Sequence, residues 1–301
     1  MKINNLNTLK EHKGAVYALC QGPEPHLIYS AGADRHVLLW DLKKQEAVKA
    51  VAKSPTTVIS LLYLPQFNYL LIGQVEGGVH IIDLEESKEV KYLKHHKGYI
   101  FDLQYLEQKQ ELIMASGDGT FSVCSIPDGK LLLQERVGEG KLRSIDLAAS
   151  RKEIAISAAE GKVQLRRQDD FQLLQEYTDY KSAVNIVRYQ PDEAALWVGE
   201  KDALLSKIDL QAEAKTPTIA AHYWAIYDVV FEPNGKWMAT ASRDKTIKIW
   251  DFKQEKVLKR LEGLKDQAHT HSVNKLHYCN KLEMLVSTGD DGSLKLWQIQ
   301  L

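Results

Sequence analysis

The chain has 301 residues, 39 of them basic and 40 acidic, for a formal net charge of −1, and it is 44% hydrophobic and 26% charged. Balanced charge argues against a nucleic-acid partner, which would call for a basic excess or stripe. No apolar run approaches the roughly 18 residues of a membrane span, and the opening MKINNLNTLKEHKG lacks the apolar core of a signal peptide. Cys20, Cys124 and Cys279 are few, odd in number and far apart, with no CxxC pair, which argues against a disulfide framework and for a reducing, cytoplasmic setting.

Taken in chain order, residues 3–10 come first. Leu6 and Leu9 stand six and three places before His12, just as Val48 and Val51 stand before Ser54, and Val90 and Leu93 before His96. The next stretch, AGADRHVLLWDL (31–42), is a polar turn that runs into an alternating strand and closes on Trp-Asp. Its turn acid, Asp34, opens a ladder: Glu76, Asp118, Glu160, Asp202 and Asp244 follow at intervals of 42, and Asp291 at 47. Unit six shows the content of each interval. YDVVF (227–231), WMATA (237–241), TIKIW (246–250) and VLKRLE (257–262) are short β-branched-rich runs parted by turns such as EPNGK and SRDK.

Four strands per unit, no sustained helical periodicity and a period near 42 predict an all-β fold: a seven-bladed β-propeller of four-stranded antiparallel blades spanning 1–301. The units run at about 5–46, 47–88, 89–130, 131–172, 173–214, 215–256 and 257–301. The last unit ends at Leu301 with only three strands, so residues 3–10 are expected to complete its blade and close the ring, which hides edges that would invite aggregation.

Two columns are apolar in all seven units: Val16, Val58, Ile100, Leu142, Val184, Ile226, Val273, and, three places on, Leu19, Leu61, Leu103, Ile145, Val187, Val229, Leu276. A spacing of three does not fit one face of a flat strand. Either both faces are buried or a bulge interrupts the strand.

The His…(Ser/Thr)…Asp…Trp spacing and the Trp-Asp ending resemble the WD-repeat β-propeller family. The resemblance covers essentially the whole chain and is specific in units one, six and seven. It implies buried hydrogen-bond networks at His12, Ser30, Asp34, Trp40; at His222, Thr240, Asp244, Trp250; and at His269, Ser287, Asp291, Trp297. Chemistry agrees: Trp donates only through its indole N–H, Ser and Thr both donate and accept, and His can give one ring N–H to the carboxylate. In units two to five the Trp position holds Ile82, Cys124, Arg166 and Ile208, and the His position holds Ser54, His96, Gly138 and Tyr180. Complete networks are therefore expected in three units only, the ones flanking the seam.

The resemblance also implies which residues face the top of the ring: the third and fifth after the His position, fourteen in all, none of them Asp, Glu, His or Cys. That is poor ground for catalysis and better ground for a non-catalytic platform that binds a protein or peptide segment. Tyr17, Tyr99, Phe101 and Tyr227 offer aromatic surface; Lys141, Arg143, Lys201 and Arg243 offer positive charge, suited to a partner of acidic character. A further candidate is the five-residue surplus of the last unit, within EGLKDQAHT (262–270). The alternative is a propeller enzyme or small-ligand binder using the channel mouth. His95-His96 and His269-Thr270-His271 invite a metal, but no third and fourth ligand follows at zinc spacing, so no metal or cofactor is expected. On its own the chain is expected to be a monomer.

Overall fold

The computed structural model describes residues 2–300; Met1 and Leu301, the ends of the expected 1–301 span, lie outside them. Seven antiparallel sheets make a seven-bladed β-propeller. The first strands of the blades are Val16–Gln21, Val58–Leu64, Ile100–Leu106, Leu142–Ala148, Val184–Tyr189, Ile226–Phe231 and Val273–Cys279. Three strands follow each of them in the first six blades, the outermost of blade five being split in two. In the last blade, Met284–Gly289 and Leu294–Gln300 are joined by Lys2–Leu9, which runs antiparallel to Leu294–Gln300 and closes the propeller. By contact density the chain divides into two units, one of Met1–Ile72, Ile81–Val90 and Tyr227–Leu301, the other of Gly73–His80 and Lys91–Ile226.

In the first unit, an apolar layer containing Leu9, Val16, Trp40, Met284 and Leu296 lies between the first and last blades. Another, with Ala18, Tyr29, Leu39, Val58 and Ile72, lies between the first and second. The second unit is built the same way: Phe121, Val123, Ile145 and Ile156 pack between blades three and four, and Leu165, Val187, Leu196 and Ile208 between four and five. A sheet covered on both sides has no solvent face, so the second strands Leu27–Gly32, Glu111–Ser116 and Glu153–Ala158 are buried at every position after the first.

The spacing of three has both explanations at once. Every residue of the two apolar columns is buried, the first column completely, and the first strand also bulges. Its register against the second strand slips between Val16 and Ala18, Ile100 and Asp102, Leu142 and Ile145, Val184 and Ile186, and Val273 and Lys275. The skipped residues include Tyr17, Phe101, Arg143, Asn185 and Asn274, the fifth places after the His position. A bulge leaves its extra residue out of the ladder and re-aims its side chain. Asn185 and Asn274 bind the next blade: Asn185 Nδ2 donates to Ile226 O at 3.2 Å and Asn274 Nδ2 to Val16 O at 3.0 Å.

The first strand is also an edge, with N–H groups that no fourth neighbour pairs. Carboxylates from the preceding blade accept some of them: Asp102 from Ile145 N at 3.0 Å, Asp146 from Tyr189 N at 2.7 Å and Asp228 from Leu276 N at 2.9 Å. Burial pushes the Asp146 carboxyl above the ordinary range even with Arg188 Nη1 at 3.4 Å. Blade five departs from the plan. Its outer strand is split into Ala214–Lys215 and Ile219–Ala220, both paired to Leu204–Asp209, because Pro217 has no N–H to give the ladder. Among the described residues no helix is long and apolar enough to cross a membrane.

Candidate interaction site

The tryptophan networks tie the turn acids to the strands of their own blades. In blade one, Trp40 Nε1–H donates to Ser30 Oγ at 2.6 Å, the Ser30 hydroxyl lies 2.6 Å from His12 Nε2, and His12 Nδ1–H donates to Asp34 Oδ2 at 2.9 Å. The last blade repeats this with Trp297, Ser287, His269 and Asp291 at 2.8, 2.8 and 2.9 Å. In blade six, Trp250 donates to Thr240 at 2.9 Å, His222 is buried, and Asp244 accepts from the Thr246 N–H at 3.0 Å and its hydroxyl at 2.6 Å. Burial holds the His12 and His96 imidazoles below their ordinary value despite the facing carboxylates, which fits neutral rings carrying the proton on Nδ1.

A network without a Trp stands in blade three as well. In blade three, His96 Nδ1 lies 3.1 Å from Asp118 Oδ2, Nε2 lies 2.7 Å from Ser122 Oγ, and the Thr120 hydroxyl donates to Asp118 at 2.6 Å. Ser122 stands on the third strand, Thr120–Ser125, rather than the second, so the pattern reaches His96 without needing a Trp where Cys124 sits. Where the His position lost its imidazole, the turn acid is exposed: Glu76, Glu160 and Asp202. At Gly138 a side chain would run into the Glu160 carboxylate, whose Oε2 lies 2.6 Å from where a Cβ would stand, and Glu160 bonds the Gly140 N–H instead.

The contrast sets up a stability test. Burial alone would raise the Asp291 carboxyl, but the bonds from His269, Ser293 and Thr270 outweigh it and hold the group far below the carboxylate range. Asp291→Ala is expected to cost about 1–3 kcal/mol, because several buried donors lose their acceptor. Glu160→Ala should stay within about 0.5 kcal/mol. A depressed folded-state value means that Asp291 stabilises fully above the unfolded carboxyl value of about 3.9 and that this contribution is lost as pH falls through the folded one. Urea melts between pH 6 and pH 3 should accordingly show a shallower acid loss in Asp291→Ala than in wild type.

Four of the eight sequence-predicted partner residues come together, all in the second unit. Tyr99 and Phe101 lie on either side of the start of strand Ile100–Leu106, with ring centroids 5.5 Å apart and planes tilted by 43°. On the neighbouring blade, Lys141 Nζ sits 5.5 Å from the Tyr99 ring and 6.0 Å from Phe101, and Arg143 Cζ 4.8 Å from Phe101. These are cation–π distances. Tyr99 is 44% exposed and Lys141 is exposed, whereas Phe101 and Arg143 are half-buried at their bulges. Lys201 is exposed in the turn before Asp202. In the first unit, Tyr17 and Tyr227 are half-buried on their first strands, and Arg243 is exposed in the turn before Asp244.

The pattern of repeating columns missed Tyr223 and Trp224, 75% and 58% exposed, on the loop into blade six. It also missed the inter-blade carboxylates, whose one signal is an acid inside a first strand. Among the described residues no three His, Cys, Asp or Glu side chains gather as a metal-holding group.

A family model, WD domain, G-beta repeat, matches residues 3–41, 214–251 and 259–298. The chain is similar to a WD repeat-containing protein 55 homolog of Drosophila erecta, 37% identical over 100 residues, 33% of this chain and 19% of that protein. A homolog of the same name from Drosophila persimilis is 40% identical over 84 residues, 28% and 16% of the two chains. The chain thus covers between about a sixth and a fifth of the length of the curated relatives it matches.

Proposed function

The chain is a WD-repeat β-propeller, and on that premise we propose that it is a non-catalytic platform that binds a protein segment of acidic character around the Tyr99–Phe101–Lys141–Arg143 cluster. Propellers of this family typically mediate protein–protein interaction and are generally non-catalytic. The observation that carries the reading is the geometry of that cluster. Two rings and two cations from neighbouring blades share one patch, and aromatic and arginine side chains dominate interface hot spots. Among the described residues Lys141 has no carboxylate within ion-pair distance, which leaves its charge for a partner. Lys201 extends the positive surface of the same unit; Tyr17, Tyr227 and Arg243 are candidates of the same kind in the first. Three thiols with no disulfide among them fit work in a reducing, cytoplasmic compartment.

Affinity purification with the intact chain and with a Tyr99→Ala, Phe101→Ala, Arg143→Glu variant tests this. Losing hot-spot residues at about 2 kcal/mol each should weaken capture by well over tenfold. Partners retained in full by a variant with an unchanged melting temperature would refute the reading.

A further inference from the structure

We propose that the loop His222–Ala225 is a second anchor subsite, at which Tyr223 and Trp224 grip an apolar side chain of an acidic protein segment while Lys181 and Lys201 hold its carboxylates. The inference rests on the platform reading and deepens it. The corresponding two residues of the other units are Lys13-Gly14, Pro55-Thr56, Lys97-Gly98, Glu139-Gly140, Lys181-Ser182 and Thr270-His271. Unit six alone places two aromatic rings there.

The backbone beneath the two exposed rings is held in place. The Ala221 and His222 N–H groups both donate to Ala203 O, at 3.0 and 3.3 Å, and His222, Ala225 and Ile226 are buried. A two-residue knuckle pinned at both ends presents its side chains at little further entropy cost, the condition under which aromatic area converts to affinity. The bonds to Ala203 seat the knuckle beside the turn that carries Lys201, and that turn is tied in turn to the next: Asp202 N bonds Ser182 Oγ at 3.1 Å, and Lys201 N bonds Ala183 O at 2.8 Å. Lys181 and Lys201 are exposed and, among the described residues, have no carboxylate within ion-pair distance. Two unspent cations beside two rings fit an acidic segment with an apolar residue. A lipid surface is the poorer fit, because clusters of four to eight basic residues mark such contacts and the exposed Asp202 sits within this surface.

Trp224 supplies the readout. Of the six tryptophans, Trp40, Trp197, Trp237, Trp250 and Trp297 are buried, so acrylamide quenching of the intact protein reports Trp224. The probes are fluorescein-labelled acidic nonapeptides with Phe, Leu or Tyr at the centre, the same peptides with lysine for every acid, and phosphatidylserine–phosphatidylcholine vesicles. Unlabelled acidic peptides should shield Trp224, the lysine peptides and vesicles should not, and Tyr223→Ala/Trp224→Ala should raise the dissociation constant of the labelled peptide at least tenfold. Lys181→Glu/Lys201→Glu should raise it as well and flatten its salt dependence. Shielding by vesicles or lysine peptides, or none by any acidic peptide, overturns the proposal. Binding that survives Tyr223→Ala/Trp224→Ala yet falls with Phe101→Ala/Arg143→Glu overturns it and leaves the platform reading standing. Binding that neither pair weakens removes both.

Discussion

Removal of residues 1–10 is expected to lower the melting temperature by about 10 °C or more and to make the protein aggregate. Strand Lys2–Leu9 supplies seven matched pairs to Leu294–Gln300, with a slip between Asn5 and Asn7. Lys295 Nζ bonds Thr8 Oγ1 at 3.0 Å. Leu9 is buried among Val16, Trp40, Leu294 and Leu296, and Ile3 packs against the layer that holds Trp237, Trp297 and Ile299, so one short strand seals apolar layers on both sides of the last blade. Uncovering several such side chains at about 1.5–3 kcal/mol each removes a large share of the 5–15 kcal/mol that folded domains carry. The deletion also turns Leu294–Gln300 into a bare edge. A melt followed by light scattering measures both effects, and a synthetic peptide of residues 2–10 added in trans should restore part of the loss. A truncated chain as stable and as dispersed as the full one would mean that the N-terminal strand closes nothing.

That closing strand was legible because it repeats a pattern found elsewhere: Leu6 and Leu9 keep the spacing to His12 that Val48 and Val51 keep to Ser54. The blade count and the Trp–Ser–His–Asp struts were legible for the same reason, since each rests on residues recurring at fixed distances. The bulge could only be left as one of two options. A spacing of three says that a period-two strand is interrupted and does not say whether the covering comes from a neighbour. The blade-three network was hidden because Ser122 reaches His96 from a different strand than Ser30 reaches His12, and spacing along one strand carries no record of which neighbour lies across. The inter-blade carboxylates, Asp102 to Ile145 and Asp228 to Leu276, answer to an edge that exists only once the first strands stand side by side. Tyr223 and Trp224 escaped for the opposite reason: they occur once, and a search for columns passes over what a single unit does differently.

Arg166 is the departure with the largest consequence. It occupies the Trp position of blade four, is 3% exposed, and stacks its guanidinium 4.8 Å from the Phe121 ring. Nη1 and Nη2 reach the two oxygens of Glu135 at 2.9 and 2.6 Å, Nη1 also donates to Phe171 O at 2.9 Å, and Nε to Gln164 Oε1 at 3.0 Å. A cation thus replaces an indole by borrowing a carboxylate from the outer strand of the preceding blade, Leu131–Arg136. The two partners are not equal. The Glu135 side chain is 43% exposed and can return to water; Arg166 cannot. Stranding a buried charge costs about 3–5 kcal/mol, whereas replacing it by an apolar side chain of similar volume is often close to neutral. Allowing for water at the Glu135 side of the pair, Glu135→Ala should cost about 2–4 kcal/mol. Arg166→Met keeps the contact with Phe121, releases Glu135 to solvent and leaves the Phe171 carbonyl and the buried Gln164 Oε1 without their donor, at about 1–3 kcal/mol. Chemical denaturation of both variants decides the matter: the exposed partner should be the costlier one to remove. Equal losses, or a larger loss in Arg166→Met, would overturn the inequality of the two partners, and a negligible loss in Glu135→Ala would show that Gln164, Phe171 and the Phe121 ring hold the guanidinium alone.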